Sequence, residues 1–279
     1  PFCAVPILEP QFQPYLPLKD RIERTRRLYG DQQNLLLMDN NVLASKDLST
    51  IIADIRSCGF IPGAKYIEPN QYEIAIRNLR LGMNDRGYIR KCWKLLKDIN
   101  EMKRLNEEIR THIYRLREEN GLLHPITCTK DALIRTYKNF APYFEKKYAN
   151  QKGRNRYIDF NQGVDARLFT DEIVSLLAQI PVRPLRIAFD DIKTERAYTS
   201  ALKMSVKYGI KDFSNYLLYN FKEKPIDLYH RMRINVDLCE ELNVSIYSFP
   251  MKYHPIRDEH SHDRDYIGKH WNRKYIRAV

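Results

Sequence analysis

The sequence lacks the features that would assign it to several common classes of protein. Its five cysteines include no Cys-x-x-Cys pair, and their odd number and wide spacing argue against a disulfide framework. No apolar stretch approaches the roughly 20 residues that cross a bilayer, so we expect no membrane partner. No basic and apolar leader resembles a signal peptide. We therefore expect a cytoplasmic location, where cysteines stay reduced.

Both ends of the chain have sequences that are typical of a truncated protein. The first residues, Pro1-Phe2-Cys3, include no initiator Met, and the last stretch, from Trp271 to Val279, is basic and compatible with a helix. That stretch contains no Gly or Pro that would end a helix. We therefore expect the chain to be truncated at both ends.

The positive charge is concentrated in one segment. Residues 71–156 contain 20 Lys and Arg but only 10 Asp and Glu, so they carry most of the formal net charge of +12. Apolar residues in this segment recur at helical spacing, as in Ile89, Trp93 and Leu96. We interpret residues 71–156 as a basic helical insertion that interrupts a different pattern.

Outside the insertion, short apolar runs alternate with helical patterns, which is typical of βα units around a parallel sheet. Gly30, Gly59 and Gly209 each follow a helical pattern and precede an apolar run, as glycines that end helices do. Pro225 suits the first turn of a helix. The pattern predicts helices at 18–29, 47–59, 171–181, 195–208 and 225–243, and strands at 34–42, 157–162, 185–190, 213–221 and 244–249.

The predicted strands have one bulky side and one smaller or polar side. In 185–190, Ile187 and Phe189 would face helices, whereas Ala188 and Asp190 would face the opposite way, and 157–162 shows the same split. Polar residues also end every strand. They are Asp39, Asn40, Asn41, Asn161, Gln162, Asp190, Asp191, Asn220 and Ser248.

These polar strand ends have two interpretations. The carboxyl ends of parallel strands meet at one edge and commonly form the active site, so the pattern favours chemistry there. The alternative is that polar residues only mark the points where strands meet loops. Spacing does not decide between the two.

Five phrases of the sequence resemble strands of the radical S-adenosylmethionine (radical SAM) superfamily. They are Leu36 to Asn41, Asp159 to Arg167, Ile187 to Asp191, Tyr216 to Phe221 and Ser248 to Met251. Phe2-Cys3 is similar to the last two positions of the family signature, Cys-x-x-x-Cys-x-aromatic-Cys, and Ala4 to Pro10 is similar to the stretch that follows it in one branch. Asp39-Asn40-Asn41 departs from the Gly-Gly-Glu that many members have there.

The resemblance implies a mixed α/β fold, a partial (β/α)6 TIM-like barrel that lacks its first strand. Residues 1–70 and 157–253 would form this barrel, and residues 71–156 would be the basic helical insertion. Residues 254–279 would form a C-terminal extension.

The resemblance also implies a reaction. Three thiolates of the family hold a 4Fe-4S cluster, whose open iron binds S-adenosylmethionine. The enzyme would cleave this cofactor reductively to a 5′-deoxyadenosyl radical that acts on an unknown substrate, with electrons from a donor such as a flavodoxin or ferredoxin.

The implied metal ligand is Cys3. The other two thiolates are expected three and seven positions before it, and the chain without them is expected to be inactive. The implied cofactor contacts are Phe2, Asp39, Asn40, Asn41, Asn161, Gln162, Asp190, Asn220 and Ser248.

The basic insertion suggests a second class of function, non-catalytic binding of nucleic acid. Its aromatic residues could stack bases while neighbouring cations contact phosphates. These residues are Tyr88, Trp93, Tyr114, Tyr137, Tyr143, Phe144 and Tyr148. The alternative is a helical hairpin with apolar residues inside and solvated charges outside.

Two smaller patterns favour simple interpretations. The cysteines after Cys3 suit small core positions. The histidines of the C-terminal extension could form a metal site with nearby aspartates, but their basic surroundings favour a solvated loop. They are His254, His260, His262 and His270.

Overall fold

The computed structural model describes residue 11 and residues 15–38, 41–103, 105–149, 151–256 and 259–279. The described residues form two compact units. The first comprises those up to Lys19 together with Asn34–Ala64 and Arg156–Val279, and the second comprises Asp20–Gln33 and Lys65–Asn155. The second unit thus contains the predicted insertion except for Arg156, and also most of the first helix.

The helices and strands are named here in chain order. The helices are α1 (Leu18–Tyr29), α2 (Leu48–Ser57), α3 (Gln71–Arg80), α4 (Asp85–Asn100), α5 (Glu107–Glu119), α6 (Lys130–Arg135), α7 (Tyr137–Ala149), α8 (Asp171–Leu177), α9 (Glu195–Lys207), α10 (Pro225–Leu242) and α11 (Arg273–Ala278). The strands are β1 (Asn34–Leu37), β2 (Lys65–Tyr66), β3 (Arg154–Asn155), β4 (Tyr157–Phe160), β5 (Leu185–Arg186), β6 (Asp212–Tyr219) and β7 (Ser245–Lys252).

The first unit is built on parallel strands. β1 pairs with β4, and β5, β6 and β7 form a three-stranded sheet in that order. Single parallel bridges join Ile158 to Val182 and Val164 to Ile187. The strands therefore follow one another in chain order, which confirms the predicted mixed α/β class. Among the described strands, no sheet closes into a barrel.

Several strands differ in length from the prediction. β1 ends at Leu37 rather than at Val42, which instead begins a short 3-10 turn. β5 ends at Arg186, because beyond it only Ile187 forms a bridge. Its partner is Val164, which follows the turn at Gly163. β7 continues to Lys252 and includes Pro250. Among the described strands β7 lies at a sheet edge, where a residue without an N–H group is tolerated.

The core of the first unit confirms the predicted bulky side of the strands. Ile158, Phe160, Ile187 and Phe189 are all buried. Phe189 stacks on Tyr198 of α9, with ring centroids 4.2 Å apart. The apolar side of the sheet therefore packs against the helices, and the opposite side is left for other contacts.

The second unit is helical, with β2 and β3 as a short antiparallel pair. Asparagines cap three of its helices: Asn70, Asn84 and Asn106 accept hydrogen bonds from the first turns of α3, α4 and α5. Within the described part of the chain, no helix is both long and apolar enough to cross a membrane.

Candidate functional site

One side of the parallel strands carries a connected group of polar side chains. Arg186 donates from Nε and Nη2 to the two carboxylate oxygens of Asp159, at 2.8 and 2.7 Å. Its Nη1 donates to Ser214 Oγ at 3.2 Å. Tyr216 lies two residues after Ser214 and so shares this side, where its hydroxyl donates to the carbonyl of Asn161 at 3.4 Å. We call the side defined by Asp159, Arg186, Ser214 and Tyr216 the open face.

The open face is apolar and exposed on its two outer strands. The register places Leu36 opposite Asp159 and Tyr247 opposite Ser214, so β1 and β7 extend this face. Its exposed apolar side chains are Leu36, Met38, Tyr247, Phe249 and Met251. Exposed apolar side chains grouped on a strand in this way are typical of a surface that contacts a ligand or another chain.

Several predicted cofactor contacts are not at the open face or cannot be placed. Phe2, Cys3, Asp39 and Asn40 lie outside the described residues. Asn41 accepts from the backbone N–H of Asp165 at 3.4 Å, and Gln162 is exposed. Asn161 does lie beside the open face, with its Nδ2 3.6 Å from Met38 Sδ.

Ser248 lies on the helix side of the sheet. Its hydroxyl accepts a hydrogen bond from Asn235 Nδ2 of α10 at 2.9 Å. Asn235 Oδ1 in turn accepts from the hydroxyl of Tyr198 and from Asn215. Because successive residues of a strand point to opposite sides, Ser248 is directed away from the side that carries Phe249. The predicted contact therefore belongs to a polar network behind the sheet.

Asn220 connects the end of β6 to the C-terminal extension. Its side chain is fully buried, and Nδ2 donates to the carbonyls of Tyr253 and Tyr266 at 3.2 and 3.1 Å. Its Oδ1 accepts from Gly268 N at 2.7 Å. Trp271 adds a ring contact with Tyr219. All the polar atoms of the Asn220 side chain thus have partners in the protein.

Asp190 follows β5 by four residues and lies half-buried in a group of charges with Arg231 and Glu223. Arg231 of α10 is fully buried and donates to the carbonyls of Phe189 and Leu218, at 2.8 and 2.6 Å. Its Nη2 is 3.9 Å from Glu223 Oε1. Neither Arg231 Nε nor Glu223 Oε1 has a hydrogen-bond partner among the described residues.

The pKa values of this group show that burial outweighs charge pairing. Burial raises the pKa of Asp190 to about 6, although Arg231 and the backbone of Leu218 oppose the rise. Burial also raises the pKa of Glu223 and lowers the pKa of Arg231. Each group therefore favours its neutral form more than it would in water. Perturbed groups at strand ends are typical of functional sites.

Replacing Asp190 with Asn is expected to stabilise the protein at pH 8. A carboxyl whose pKa rises from 3.8 in the unfolded chain to about 6 costs stability as the pH rises between these values. The neutral amide removes that cost and still accepts from Leu218 N, so we expect a gain of about 2–3 kcal/mol in the free energy of unfolding at pH 8. The gain should shrink as the pH falls from about 6 to about 4.

Urea denaturation at several pH values measures this gain. Asp191→Asn is the matched control, because this exposed side chain accepts from Lys193 N and an amide can do the same. We expect the control to change stability by less than about 0.5 kcal/mol. A loss of stability in Asp190→Asn at pH 8 would contradict the prediction.

The cysteines that the structure describes do not form a metal site. Cys58, Cys92 and Cys128 are buried, and Cys239 is half-buried on α10. Burial raises the pKa of Cys92 to about 12 and that of Cys128 to about 11, so neither is a ready thiolate ligand. Across the described residues, no group of three or more His, Cys, Asp or Glu side chains could hold a metal ion, the histidines of the C-terminal extension included.

The aromatic residues of the insertion are mostly core residues. Tyr88 and Phe144 are buried in the cluster that holds the second unit together, and four more pack against it: Trp93, Tyr137, Tyr143 and Tyr148. Trp93 also donates from Nε1 to the carbonyl of Leu123 at 3.0 Å. Tyr114 is 45% exposed. The arrangement matches the helical hairpin interpretation better than a base-stacking surface.

Two charged residues of the site were not singled out from the sequence. Arg186 could have been found, because it alternates with the buried Leu185 and Ile187 and so falls on the side of Asp159. Arg231 had no comparable signal. A cation on a helix is usually exposed, so the burial of Arg231 could be recognised only from the contact of α10 with the strands.

Comparison with known proteins adds no relative to this description. A scan against models of protein families finds none that matches the chain. A search of curated proteins finds no match either. The functional argument therefore rests on the geometry of the open face and of the adjoining strand ends.

Proposed function

We propose that this chain belongs to a radical SAM enzyme that binds S-adenosylmethionine along the open face. The observation that carries the proposal is the parallel order β1-β4-β5-β6-β7, with polar groups on one side of the strands and helices on the other. A partial (β/α)6 barrel would present its interior in this way. The substrate is not identified.

The described residues fit S-adenosylmethionine, one of the two proposed cofactors. S-adenosylmethionine combines a charged amino acid end, ribose hydroxyls and a flat apolar adenine. Asp190 offers a carboxylate that is half-buried and can accept from hydroxyl groups, and the exposed side chains of Met38 and Phe249 offer apolar contact. The described cysteines supply no ligand set, so the cluster would depend on Cys3 and on the two thiolates expected before it.

The chain's own residues would bind and orient the cofactor. Asn161 could meet its polar end beside Met38, and the ion pair of Asp159 with Arg186 would keep the middle of the face rigid. A 4Fe-4S cluster held by Cys3 and the two expected thiolates would supply the electron for reductive cleavage of S-adenosylmethionine. Apolar side chains of the face would exclude water from the reacting centre.

Cluster assembly in the full-length protein tests this proposal. After anaerobic reconstitution with iron and sulfide, we expect the wild-type protein to show the visible absorption and iron content of a 4Fe-4S cluster. Cys3→Ser should lose the cluster, because two thiolates do not hold it stably. Cys239→Ser is the matched control and should keep it, since this half-buried cysteine belongs to α10.

Two results would contradict the proposal. One is a wild-type protein that assembles no cluster, and the other is a Cys3→Ser variant that retains the wild-type cluster. Binding of S-adenosylmethionine by calorimetry, measured on the reconstituted protein, should accompany cluster assembly. A protein that holds a cluster but does not bind this cofactor would also contradict it.

A further inference from the structure

We propose that the outward side of α4 binds the phosphate backbone of double-stranded nucleic acid. Arg86, Arg90 and Lys94 lie one helical turn apart, and all three are exposed. Lys97 continues the row, although its Nζ is 3.8 Å from Glu101. We call Arg86, Arg90 and Lys94 the basic row. This inference concerns the second unit and is independent of the proposed reaction.

The opposite side of α4 explains why the basic row points to solvent. Tyr88, Cys92, Leu96 and Ile99 are buried in the apolar cluster of the second unit. The helix is therefore held by its apolar side, and the basic row projects from a rigid element. Three cations at i, i+4 and i+8 span about 12 Å along a helix, at a rise of about 1.5 Å per residue.

Within the part of the chain that the structure describes, the outward side of α4 has an excess of positive charge, although the exposed Asp98 lies one turn after Lys94. No acidic side chain there forms an ion pair with Arg86, Arg90 or Lys94. Like charges one turn apart repel each other and weaken a helix. The outward side of α5 differs, because Glu107, Glu118 and Glu119 are interspersed with its cations. The basic row is therefore a local concentration of positive charge that a polyanion would neutralise.

The surroundings of the basic row favour a duplex over other polyanions. Single-stranded nucleic acid is usually bound through exposed aromatic rings, yet Tyr88 of this helix is buried and Trp93 is partly buried against the core. An anionic membrane surface is usually bound through apolar side chains that insert beside the cations, and the apolar side of α4 is buried. A straight row of cations on a helix suits the regular phosphates of a duplex, which carry no sequence information.

The salt dependence of duplex binding tests the proposal. We expect the full-length protein to bind short RNA and DNA duplexes in a fluorescence anisotropy assay without sequence preference. Changing Arg86, Arg90 and Lys94 together to Gln removes three phosphate contacts and should reduce the slope of log affinity against log salt by about 2.7. Between 50 and 200 mM salt, the affinity of the wild-type protein should therefore fall about 40-fold more than that of the variant.

A variant with the same change of charge elsewhere serves as the control. Lys207, Lys211 and Lys269 are exposed cations of the first unit, and changing all three to Gln should leave the slope within about 1 of the wild-type value. Circular dichroism checks that both variants are folded. Equal slopes in the two variants, or absence of wild-type binding, would overturn the proposal. Equal competition by polyglutamate or by anionic vesicles would overturn it as well.

Discussion

Replacing Arg231 with Met is expected to lower the free energy of unfolding by about 3–5 kcal/mol, the usual cost of removing one member of a buried charge group. The guanidinium joins the segment that follows β5 to the end of β6 through the carbonyls of Phe189 and Leu218. Without it, both carbonyls lose a buried donor, and the carboxylates of Asp190 and Glu223 lose their counter-charge. Met fills most of the same space, so the loss of stability measures mainly the removal of the polar contacts.

The loss should depend on pH. Without Arg231 the pKa values of Asp190 and Glu223 should rise further, because a favourable charge is removed while burial persists. Groups whose pKa rises on folding cost stability above their unfolded pKa, so the variant should lose more at pH 8 than at pH 5. Urea denaturation at the two pH values measures the difference.

Arg233→Met is the control for Arg231→Met. Arg233 belongs to the same helix, but it is exposed and forms an ion pair with Asp237 one turn away. Such surface pairs contribute up to about 0.5 kcal/mol. A second variant, Arg231→Met with Asp190→Asn, should recover part of the loss because the uncompensated carboxylate is gone. Similar stability in the Arg231 and Arg233 variants would show that the buried contacts contribute little.

Replacing Asn220 with Ala is expected to lower the free energy of unfolding by about 3–4 kcal/mol. Three hydrogen bonds disappear, and two of them, to Tyr266 and Gly268, hold the C-terminal extension. The backbone of Asn220 also has a φ of 66°, a left-handed conformation that Ala adopts at a cost. Limited proteolysis should in addition release the extension after residue 253 more readily.

Asn243→Ala separates the cost of the left-handed backbone from the cost of the lost hydrogen bonds. Asn243 has a φ of 49° at the end of α10, but its side chain is exposed. Its replacement should therefore cost only the backbone term of about 1 kcal/mol. The excess loss in Asn220→Ala measures the three hydrogen bonds. If the two variants lose equal stability, or if proteolysis is unchanged, Asn220 does not hold the extension in place.

Much of the strand and helix order could be predicted from the sequence, because it depends on local chemistry. The predicted first helix has the bounds of α1, since Gly30 adopts a φ of 82° just after it. α9 and α10 end within one residue of their predicted ends. The alternation that placed Ile187 and Phe189 against the helices is confirmed because period-two burial is a property of any strand with one covered side.

The candidate site was harder to predict, because it depends on the direction in which side chains point rather than on their position in the sequence. Ser248 and Asn220 were selected as polar strand ends, yet Ser248 contacts Asn235 and Asn220 contacts the C-terminal extension. β7 has apolar residues on both sides, so its sequence does not reveal which side faces α10. The aromatic residues of the insertion show the same difficulty, since a helical pattern with many rings suits a core as well as a binding surface.

The sequence by itself determined the α/β order, the basic helical segment and the polar character of the strand ends, because periodicity, glycine stops and charge act over a few neighbouring residues. The tertiary structure alone decided which polar groups meet: Arg186 with Asp159, and Arg231 with Asp190 and Glu223. These partners are separated along the chain, and only the strand register and the rotation of α10 bring them together. Burial then sets the pKa values that the local sequence cannot encode.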